Sequence, residues 1–212
     1  MKKITIVDYG CGNILNLIRA IKFLGFDAEA TNDKHKIINS SNLILPGVGA
    51  FGNAIEKLEK NNLKNSIIEY ARLNKPLFGI CLGMQLLFTT SFEFGRHKGL
   101  NLIEGEVIKI SNKKNKEIKI PHVGWNQIYP IKKDNKEWNN EILKDISIGN
   151  SFYFVHSFVG VTKEVNSTIA TCNYYGITIP AVVSINNIYG CQFHPEKSGD
   201  SGLYILKNFC TI

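Results

Sequence analysis

The chain has 212 residues, 44% hydrophobic and 20% charged, which predicts one globular domain spanning residues 1–212 and excludes a chain that is disordered throughout. Its formal net charge is +7, but the lysines are spread along the sequence, and small concentrations at 113–119 and 132–136 lack interleaved aromatic residues. We therefore interpret the charge as a solvated surface, with an anionic partner or substrate as the alternative, and expect no nucleic-acid partner.

Targeting and redox features favour the cytoplasm. The basic start at residues 1–3 resembles that of a signal peptide, but the apolar run Ile4–Val7 is cut by Asp8, far short of the roughly 7–15 apolar residues required. No stretch approaches about 18 apolar residues, so we expect no membrane span. The five cysteines are odd in number, irregularly spaced and without a CxxC pair, which favours a reducing compartment and argues against a thiolate metal site.

Strand-like and helix-like segments alternate in the first half of the chain. Buried strands are predicted at Ile4–Val7, Leu43–Leu45 and Leu77–Ile80. Apolar residues at helical spacing predict helices at Ile14–Leu24, Ala54–Leu58, Ile67–Ala71 and Met84–Phe88, with Gly25 ending the first and Pro76 following the third. This succession favours a parallel sheet with helices on both faces.

The second half of the chain is predicted to form strands joined by turns, followed by one helix. Strands are predicted at Val107–Ile110, Phe152–Val155, Thr168–Thr171, Ala181–Val183 and Tyr189–Phe193, and a helix at Leu203–Phe209. We expect these strands to extend the same sheet in antiparallel fashion. The segment Asn112–Lys119 is polar and is expected to be a loop or hairpin tip.

The strongest local motif is Gly79-Ile80-Cys81-Leu82-Gly83, which lies between a predicted strand and a predicted helix. This pattern is typical of a nucleophile elbow with cysteine in the place of serine, because so tight a turn requires small residues two before and two after. The turn exposes the thiol near a helix N-terminus, which favours a thiolate. The alternative is a buried cysteine in an ordinary strand-to-helix turn.

A nucleophilic thiolate needs a base, and the base needs an orienting group. Gln192-Phe193-His194-Pro195-Glu196 offers both at the end of a predicted strand, since His194 and Glu196 are two residues apart and can share a face. A carboxylate beside an imidazole fixes its tautomer. The alternative is the exposed end of a surface strand.

The glycine-rich turn Pro46-Gly47-Val48-Gly49 follows the second predicted strand. Attack on an amide creates an oxyanion, and such a turn can direct backbone N–H groups toward it. An ordinary glycine turn is the alternative. We discard a phosphate-binding loop, because neither GxGxxG nor a GK[ST] ending is present.

Several ordered blocks resemble the class I, triad-type glutamine amidotransferases and, within them, the amidotransferase subunits of imidazole glycerol phosphate synthase. The blocks are Asp8–Gly10, Gly12–Asn13, Pro46–Phe51, Gly79–Gln85, Pro121–Asn126, Tyr153–Ser157 and Gln192–Ser198. The resemblance implies a flavodoxin-like α/β fold with a mixed, mostly parallel central sheet flanked by helices. It implies hydrolysis of glutamine without a metal or an organic cofactor.

The resemblance also assigns roles to individual residues. It implies a catalytic triad of Cys81, His194 and Glu196. It implies an oxyanion hole at Gly47, Val48 and Leu82, and binding of the substrate L-glutamine by Gln85, Glu93 and Ser157. The alternative for Glu93 is a solvated acidic residue in a loop, without a role in binding.

In this family the glutaminase docks on the mouth of a (β/α)8-barrel cyclase subunit, forming a heterodimer, and ammonia passes through the barrel to a nucleotide intermediate. The products are imidazole glycerol phosphate and an aminoimidazole carboxamide ribotide. The positions that match this interface are Asn13, Asn16, Trp125, Asn126, Tyr153 and Lys197. The alternatives are a core position for Trp125 and a simple surface cation at Lys197.

Two departures from the family pattern keep other functions open. The loop Phe92–Gly99 is bulky, and Asn101 replaces the usual glycine. Paralogues with the same triad supply ammonia for amidination of surface-polysaccharide or flagellin sugars, and we keep this as the alternative pathway. The alternatives from other classes are a cysteine peptidase or deglycase of similar fold and a regulatory subunit without catalytic activity.

Overall fold

The computed structural model describes residues 3–111, 118–131 and 137–212. The second lysine concentration and most of the first, with most of the tip predicted at Asn112–Lys119, lie outside the described residues. Within the described ranges, no helix is long and apolar enough to cross a membrane.

Helices and strands alternate in the first half, as predicted. The α-helices are α1 (Ile14–Phe23), α2 (Lys34–Asn39), α3 (Phe51–Lys60), α4 (Leu63–Arg72), α5 (Leu82–Leu86) and α6 (Gly199–Thr211). The strands are β1 (Lys3–Val7), β2 (Asp27–Thr31), β3 (Asn42–Leu45), β4 (Leu77–Ile80), β5 (Phe88–Ser91), β6 (His97–Lys98), β7 (Ile103–Lys109), β8 (His122–Gln127), β9 (Tyr129–Pro130), β10 (Ser151–His156), β11 (Phe158–Thr162), β12 (Thr168–Tyr174), β13 (Ile177–Ile185) and β14 (Ile188–Cys191).

The central sheet runs in the order β2-β1-β3-β4-β14-β13-β12-β9. Its first five strands are parallel, and the remaining three are antiparallel additions. Strands β3 and β4 are buried along their whole length, as expected for strands covered on both faces. Residues of α1 and α6 pack in one core cluster, and residues of α2 to α5 pack in the other. The predicted mixed, mostly parallel sheet with flanking helices is confirmed.

The prediction that all later strands join this sheet was wrong in part. The segments predicted at Val107–Ile110 and Phe152–Val155 lie in two separate sheets, one ordered β11-β7-β5-β6 and one formed by β10 and β8. The central sheet ends at β9, which is two residues long and contains Pro130. A proline has no N–H to donate to a further strand.

Some predicted boundaries also need correction. The helix predicted at Met84–Phe88 ends at Leu86, and Phe88 begins β5, where the β-branched Thr89 and Thr90 favour a strand. The last strand ends at Cys191, and the last helix begins at Gly199.

No strand was predicted at β2, β5, β6, β8, β9 or β11, and no helix was predicted at α2. For α2 a signal existed, since the side chain of Asp33 accepts hydrogen bonds from the backbone of His35 and Lys36 as an N-cap.

Candidate active site

Cys81 occupies a one-residue turn between β4 and α5 and has φ 54° and ψ −111°. The flanking glycines make this turn possible. A Cβ at Gly79 would lie 2.7 Å from the Met84 Cα, and one at Gly83 would overlap the Leu45 carbonyl oxygen. The predicted need for small residues on both sides of the cysteine therefore has a steric cause.

Strand β14 brings the histidine segment to this turn, because β14 pairs in parallel with β4 and ends beside it, with Cys191 opposite Ile80. A side-chain hydrogen bond joins His194 to Cys81, and the His194 Nδ1 lies 2.9 Å from the Glu196 Oε1. The structure thus brings the three residues of the predicted triad together. Their catalytic roles remain a prediction.

The charge state of His194 follows from these contacts. Burial opposes its protonation, but hydrogen bonds to Cys81 and Glu196 and the charges on both partners outweigh that effect and raise its pKa to about 10. His194 is therefore an imidazolium at neutral pH, held between a sulfur and a carboxylate.

Glu196 lies on a short 3-10 turn, Pro195–Lys197. Its Oε1 also accepts a long hydrogen bond from the Asn13 Nδ2 at 3.5 Å. Its Oε2 is buried and has no hydrogen-bond partner among the described residues. Asn13, which was predicted at the partner interface, therefore contacts the carboxylate of the predicted triad.

The glycine turn lies against the start of α5. A Cβ at Gly47 would meet the Gly83 nitrogen at 2.8 Å and the Leu82 Cβ at 3.0 Å. The Tyr9 hydroxyl donates a hydrogen bond to the Pro46 carbonyl at 2.8 Å and so anchors the turn. The Val48 side chain is exposed. The structure brings Gly47 and Leu82, two of the residues predicted for the oxyanion hole, side by side.

Gln85 is buried one helical turn after Cys81, and both of its amide hydrogens are used inside the protein. Its Nε2 donates to the Phe158 carbonyl and to the Gln192 Oε1, both at 2.9 Å. The Gln192 Nε2 in turn lies 3.8 Å from the Cys81 sulfur. The sequence analysis assigned Gln192 no role, because only its position two residues before His194 marked it.

Glu93 is a buried acid rather than the solvated loop residue of the alternative reading. Its Oε2 accepts the backbone N–H of Phe51, at the start of α3, at 2.7 Å. Burial raises the pKa of this carboxyl above its usual range, against the hydrogen bond from Phe51 and the nearby His97. The backbone N–H of Glu93 also donates to the Ser91 Oγ at 3.2 Å, and none of these contacts is with the predicted triad.

Ser157 is half-buried between β10 and β11, and its carbonyl accepts the N–H of Ile110. Asn101, where the family pattern has glycine, adopts φ 53°. Asparagine tolerates this left-handed region better than most residues. Asparagine at 101 is therefore compatible with the left-handed conformation of this turn.

Outward-facing apolar residues on β8 and β10 form a surface next to the elbow. Trp125 is 57% exposed and lies opposite Tyr153, with ring centroids 6.2 Å apart, and Val123 lies opposite Val155. The Lys197 Nζ lies 6.0 Å from the Tyr153 ring. We call Val123, Trp125, Tyr153, Val155 and Lys197 the aromatic face. Its exposure shows that the core position considered for Trp125 was wrong.

This face extends to Cys81, because the Cys81 thiol lies 3.9 Å from the Val155 carbonyl oxygen.

The other two residues predicted at the interface, Asn16 and Asn126, lie outside the aromatic face. Asn16 is exposed on α1, whereas the Asn126 Nδ2 donates to the Asn173 carbonyl at 2.9 Å within the chain.

The cysteines form no disulfide, since all five are free. In the part of the chain that the structure describes, no group of three His, Cys, Asp or Glu side chains is arranged to hold a metal ion.

Comparison with known proteins places this geometry in a family. Residues 5–212 match the model of the class-I glutamine amidotransferases, and the chain belongs to that family. Two solved structures from Thermotoga maritima share the fold. One is PurLQS, with TM-score 0.71, 18% identity and coverage of 99% of this chain and 98% of that one. The other is a glutamine amidotransferase, with TM-score 0.60, 14% identity and coverage of 92% and 76%.

Within the family, three similar curated proteins are named imidazole glycerol phosphate synthase subunit HisH or HisH 1. The protein from Legionella pneumophila strain Paris, called HisH 1, is 42% identical over 214 residues, covering 100% of both chains. That from Caldanaerobacter subterraneus is 48% identical over 206 residues, covering 97% of this chain and 96% of the relative. The Wolinella succinogenes protein is 43% identical over 208 residues, covering 98% of each.

Proposed function

We propose that residues 1–212 form one domain that serves as the glutaminase subunit of imidazole glycerol phosphate synthase, hydrolysing L-glutamine to glutamate and ammonia. The observation that carries the proposal is the line of Cys81, His194 and Glu196 beside a glycine turn. The full-length relatives named as HisH subunits support the pathway.

In the first half-reaction the Cys81 thiolate attacks the carboxamide carbon of glutamine. The carbonyl π electrons move to oxygen, and backbone N–H groups of Val48 and Leu82 hold the oxyanion, a contribution usually worth about 10²–10³ in rate per donor. When the C–N bond breaks, His194 gives its proton to the leaving nitrogen, and ammonia departs. The product on the enzyme is a γ-glutamyl thioester.

In the second half-reaction neutral His194 takes a proton from water, and the hydroxide attacks the thioester carbon. The C–S bond breaks, glutamate leaves, and the thiolate–imidazolium pair is restored. Glu196 holds the Nδ1 side of the ring throughout, at 2.9 Å, which keeps the Nε2 directed toward the reacting atoms.

The remaining polar atoms define how glutamine is held. Because both amide hydrogens of Gln85 are used internally, only its Oε1 is left to accept a hydrogen bond from substrate. The Glu93 Oε2 is occupied by Phe51, which leaves Oε1 for the α-ammonium group. Ser157 completes this set of glutamine-binding residues.

The aromatic face is proposed to bind the cyclase subunit, a (β/α)8 barrel, in a cytoplasmic heterodimer. An exposed tryptophan beside a tyrosine and a cation is typical of binding surfaces, and this face ends at the Cys81 sulfur through Val155. Asn13, Asn16 and Asn126 extend the surface. Ammonia released at Cys81 then enters the barrel, where the lyase and amidotransfer steps make imidazole glycerol phosphate.

The sugar-modifying paralogue is not favoured, since the full-length relatives are named as HisH subunits.

The assembled synthase tests the proposal. Cys81→Ala is expected to lower glutamine-dependent product formation by at least about 10³-fold, because the nucleophile is lost, and to leave synthesis from added ammonium salt intact. Cys11→Ala is the matched control and should retain both activities. Glutamine hydrolysis retained by Cys81→Ala refutes the nucleophile, and peptide hydrolysis by a wild-type chain that does not hydrolyse glutamine favours a peptidase.

A further inference from the structure

One backbone carbonyl determines the orientation of several buried side chains near Cys81. The Phe158 oxygen accepts from the Gln85 Nε2 at 2.9 Å and is 2.9 Å from the His156 Nδ1. A carbonyl oxygen can only accept, so both neighbours must present a donor to it. These two contacts therefore fix the orientation of the Gln85 amide and the tautomer of the His156 ring.

The fixed orientation passes from Gln85 to Gln192. Since the Gln85 Nε2 also faces Gln192 at 2.9 Å, the Gln192 side chain must turn its oxygen toward Gln85. Its own NH2 group is then directed at the Cys81 sulfur, 3.8 Å away. Gln192 is fully buried, so no water competes for this donor.

The histidine side of the same carbonyl is fixed in the same way. His156 donates from Nδ1, so its Nε2 is an acceptor and receives the Nδ1–H of His122 at 3.0 Å. Burial lowers the pKa of His122 to about 4 and that of His156 to about 3. Both rings stay neutral at physiological pH, and the network keeps one hydrogen-bonding pattern.

We infer that Gln192 donates a hydrogen bond to the Cys81 sulfur during turnover and that Gln85 is the positioning residue that turns the Gln192 amide toward it. The inference rests on the proposed function, in which that sulfur is the nucleophile. It adds a neutral donor to the charged one, His194. A donor at sulfur stabilises the thiolate before attack and again when it leaves the thioester.

Two other titratable groups interact with the charge of Cys81 but do not supply this effect. Burial raises the pKa of Tyr9 and that of Cys191, and the charge of Cys81 raises both pKa values further. Both are neutral near pH 7. This leaves His194, with Glu196 beside it, as the charged partner of the sulfur.

The test measures the pH dependence of Cys81 alkylation by iodoacetamide, quantified by mass spectrometry of the Cys81 peptide in the full-length chain. Gln192→Met keeps the length of the side chain but has no donor. We expect the alkylation rate at pH 7 to fall about tenfold, with the midpoint of the profile displaced to higher pH, from loss of a hydrogen bond to a charged group. Gln192→Glu should shift it further, and Gln85→Met less. Gln127→Glu, on the exposed β8 strand, is the matched control and should leave the profile unchanged.

Steady-state assays of the assembled synthase separate positioning from folding. Gln192→Met should lower kcat for glutamine and change KM little, because the donor acts on sulfur and not on bound glutamine. Ammonia-dependent synthesis should persist and reports an active cyclase subunit, while an unchanged melting temperature of the variant chain reports an intact fold. If Gln192→Met does not fold, Gln192→Asn, which withdraws the amide from sulfur, must show the same direction of change.

A wild-type alkylation profile and kcat in a folded Gln192→Met or Gln192→Asn enzyme overturns the inference. That result leaves the proposed function standing when Cys81→Ala is inactive with glutamine. Conversely, the alkylation profile can shift in the Gln192 variants while the wild-type chain does not hydrolyse glutamine. That result supports the hydrogen bond from Gln192 to Cys81 and refutes the proposed function.

Discussion

The backbone of Cys81 adopts a positive φ that L-residues rarely occupy, at a cost of about 1–3 kcal/mol. The surroundings impose this conformation, because Gly79 and Gly83 let β4, α5 and the carbonyl of Leu45 approach closely. The strain directs the thiol out of the turn toward His194 and Gln192. Reactivity at this residue is therefore a property of its neighbours in sequence as much as of the sulfur.

Gly83→Ala is expected to lower the free energy of unfolding by about 3 kcal/mol or more, because the new methyl group would overlap the Leu45 carbonyl oxygen. Chemical denaturation measures the change. Gly25→Ala separates the clash from backbone strain, since Gly25 has φ +84° and nothing within 4 Å of its Cβ position. That control should lose only about 1–2 kcal/mol, and equal losses in both variants would contradict the steric account.

At the residue scale, the sequence predicted which three residues form the candidate triad. Local patterns marked Cys81 in its elbow and the pair of His194 and Glu196, and the family resemblance joined the two segments. Gln192 and the contact of Asn13 with Glu196 were not predictable. Both depend on which side-chain atoms face each other across strands and loops, and no local pattern specifies this.

The β8–β10 pair is the element that differs most from the prediction. Its inner positions include His122 and His156, which lie opposite each other in register, and its outer positions form the aromatic face. A strand was predicted at Phe152–Val155, within β10, but as part of the central sheet, and no strand was predicted at β8. The sheet boundary depends on the short β9 and Pro130, whose effect appears only when the strands are assembled.

The histidines of this element make stability depend on pH. Their folded pKa values, about 4 for His122 and about 3 for His156, lie below the ordinary 6.5. As pH falls below 6.5 the unfolded chain takes up protons that the folded chain does not, so stability falls. Each histidine contributes about 1.4 kcal/mol per pH unit once the unfolded form is protonated. His194, with its raised pKa, acts in the opposite direction near pH 6.5, because the folded chain keeps a proton that the unfolded chain partly loses, and this effect disappears at lower pH as the unfolded form becomes protonated.

His122→Phe should reduce this slope, because it removes one titrating group while keeping an aromatic ring to stack on Phe154 and Tyr174. Urea denaturation at several values between pH 7 and 5.5 gives the comparison. A variant whose stability falls as steeply as that of the wild-type chain would show that His122 is not buried in its neutral form.

Trp125→Ala should weaken the affinity for the cyclase partner about 30-fold, the effect of roughly 2 kcal/mol for a central aromatic residue, without changing the melting temperature. Isothermal titration calorimetry measures the affinity. Leu73→Ala, an exposed apolar residue on the α4 side of the molecule, should bind like the wild-type chain. An unchanged affinity in Trp125→Ala would place the interface elsewhere.

At the scale of the whole molecule, the central sheet joins the two halves of the candidate active site. The cysteine follows β4, and the histidine follows β14, which is inserted beside β4 although it is the last strand of the chain. The carboxyl ends of parallel strands lie at one edge of a sheet, which is where such folds place their ligands. The alternation of strands and helices predicted this type of sheet. The position of β14 beside β4 depends on tertiary structure, and the periodicity of the sequence does not predict it.

The central claim is that the Cys81 sulfur forms the covalent bond to the carboxamide carbon of glutamine. The most direct measurement treats the assembled synthase with 6-diazo-5-oxo-L-norleucine, a glutamine analogue that alkylates its nucleophile, and locates the adduct by peptide mass spectrometry. We predict a single adduct on Cys81 that excess glutamine prevents and that His194→Ala greatly slows. An adduct on another cysteine, or active synthase without any adduct, would contradict the account.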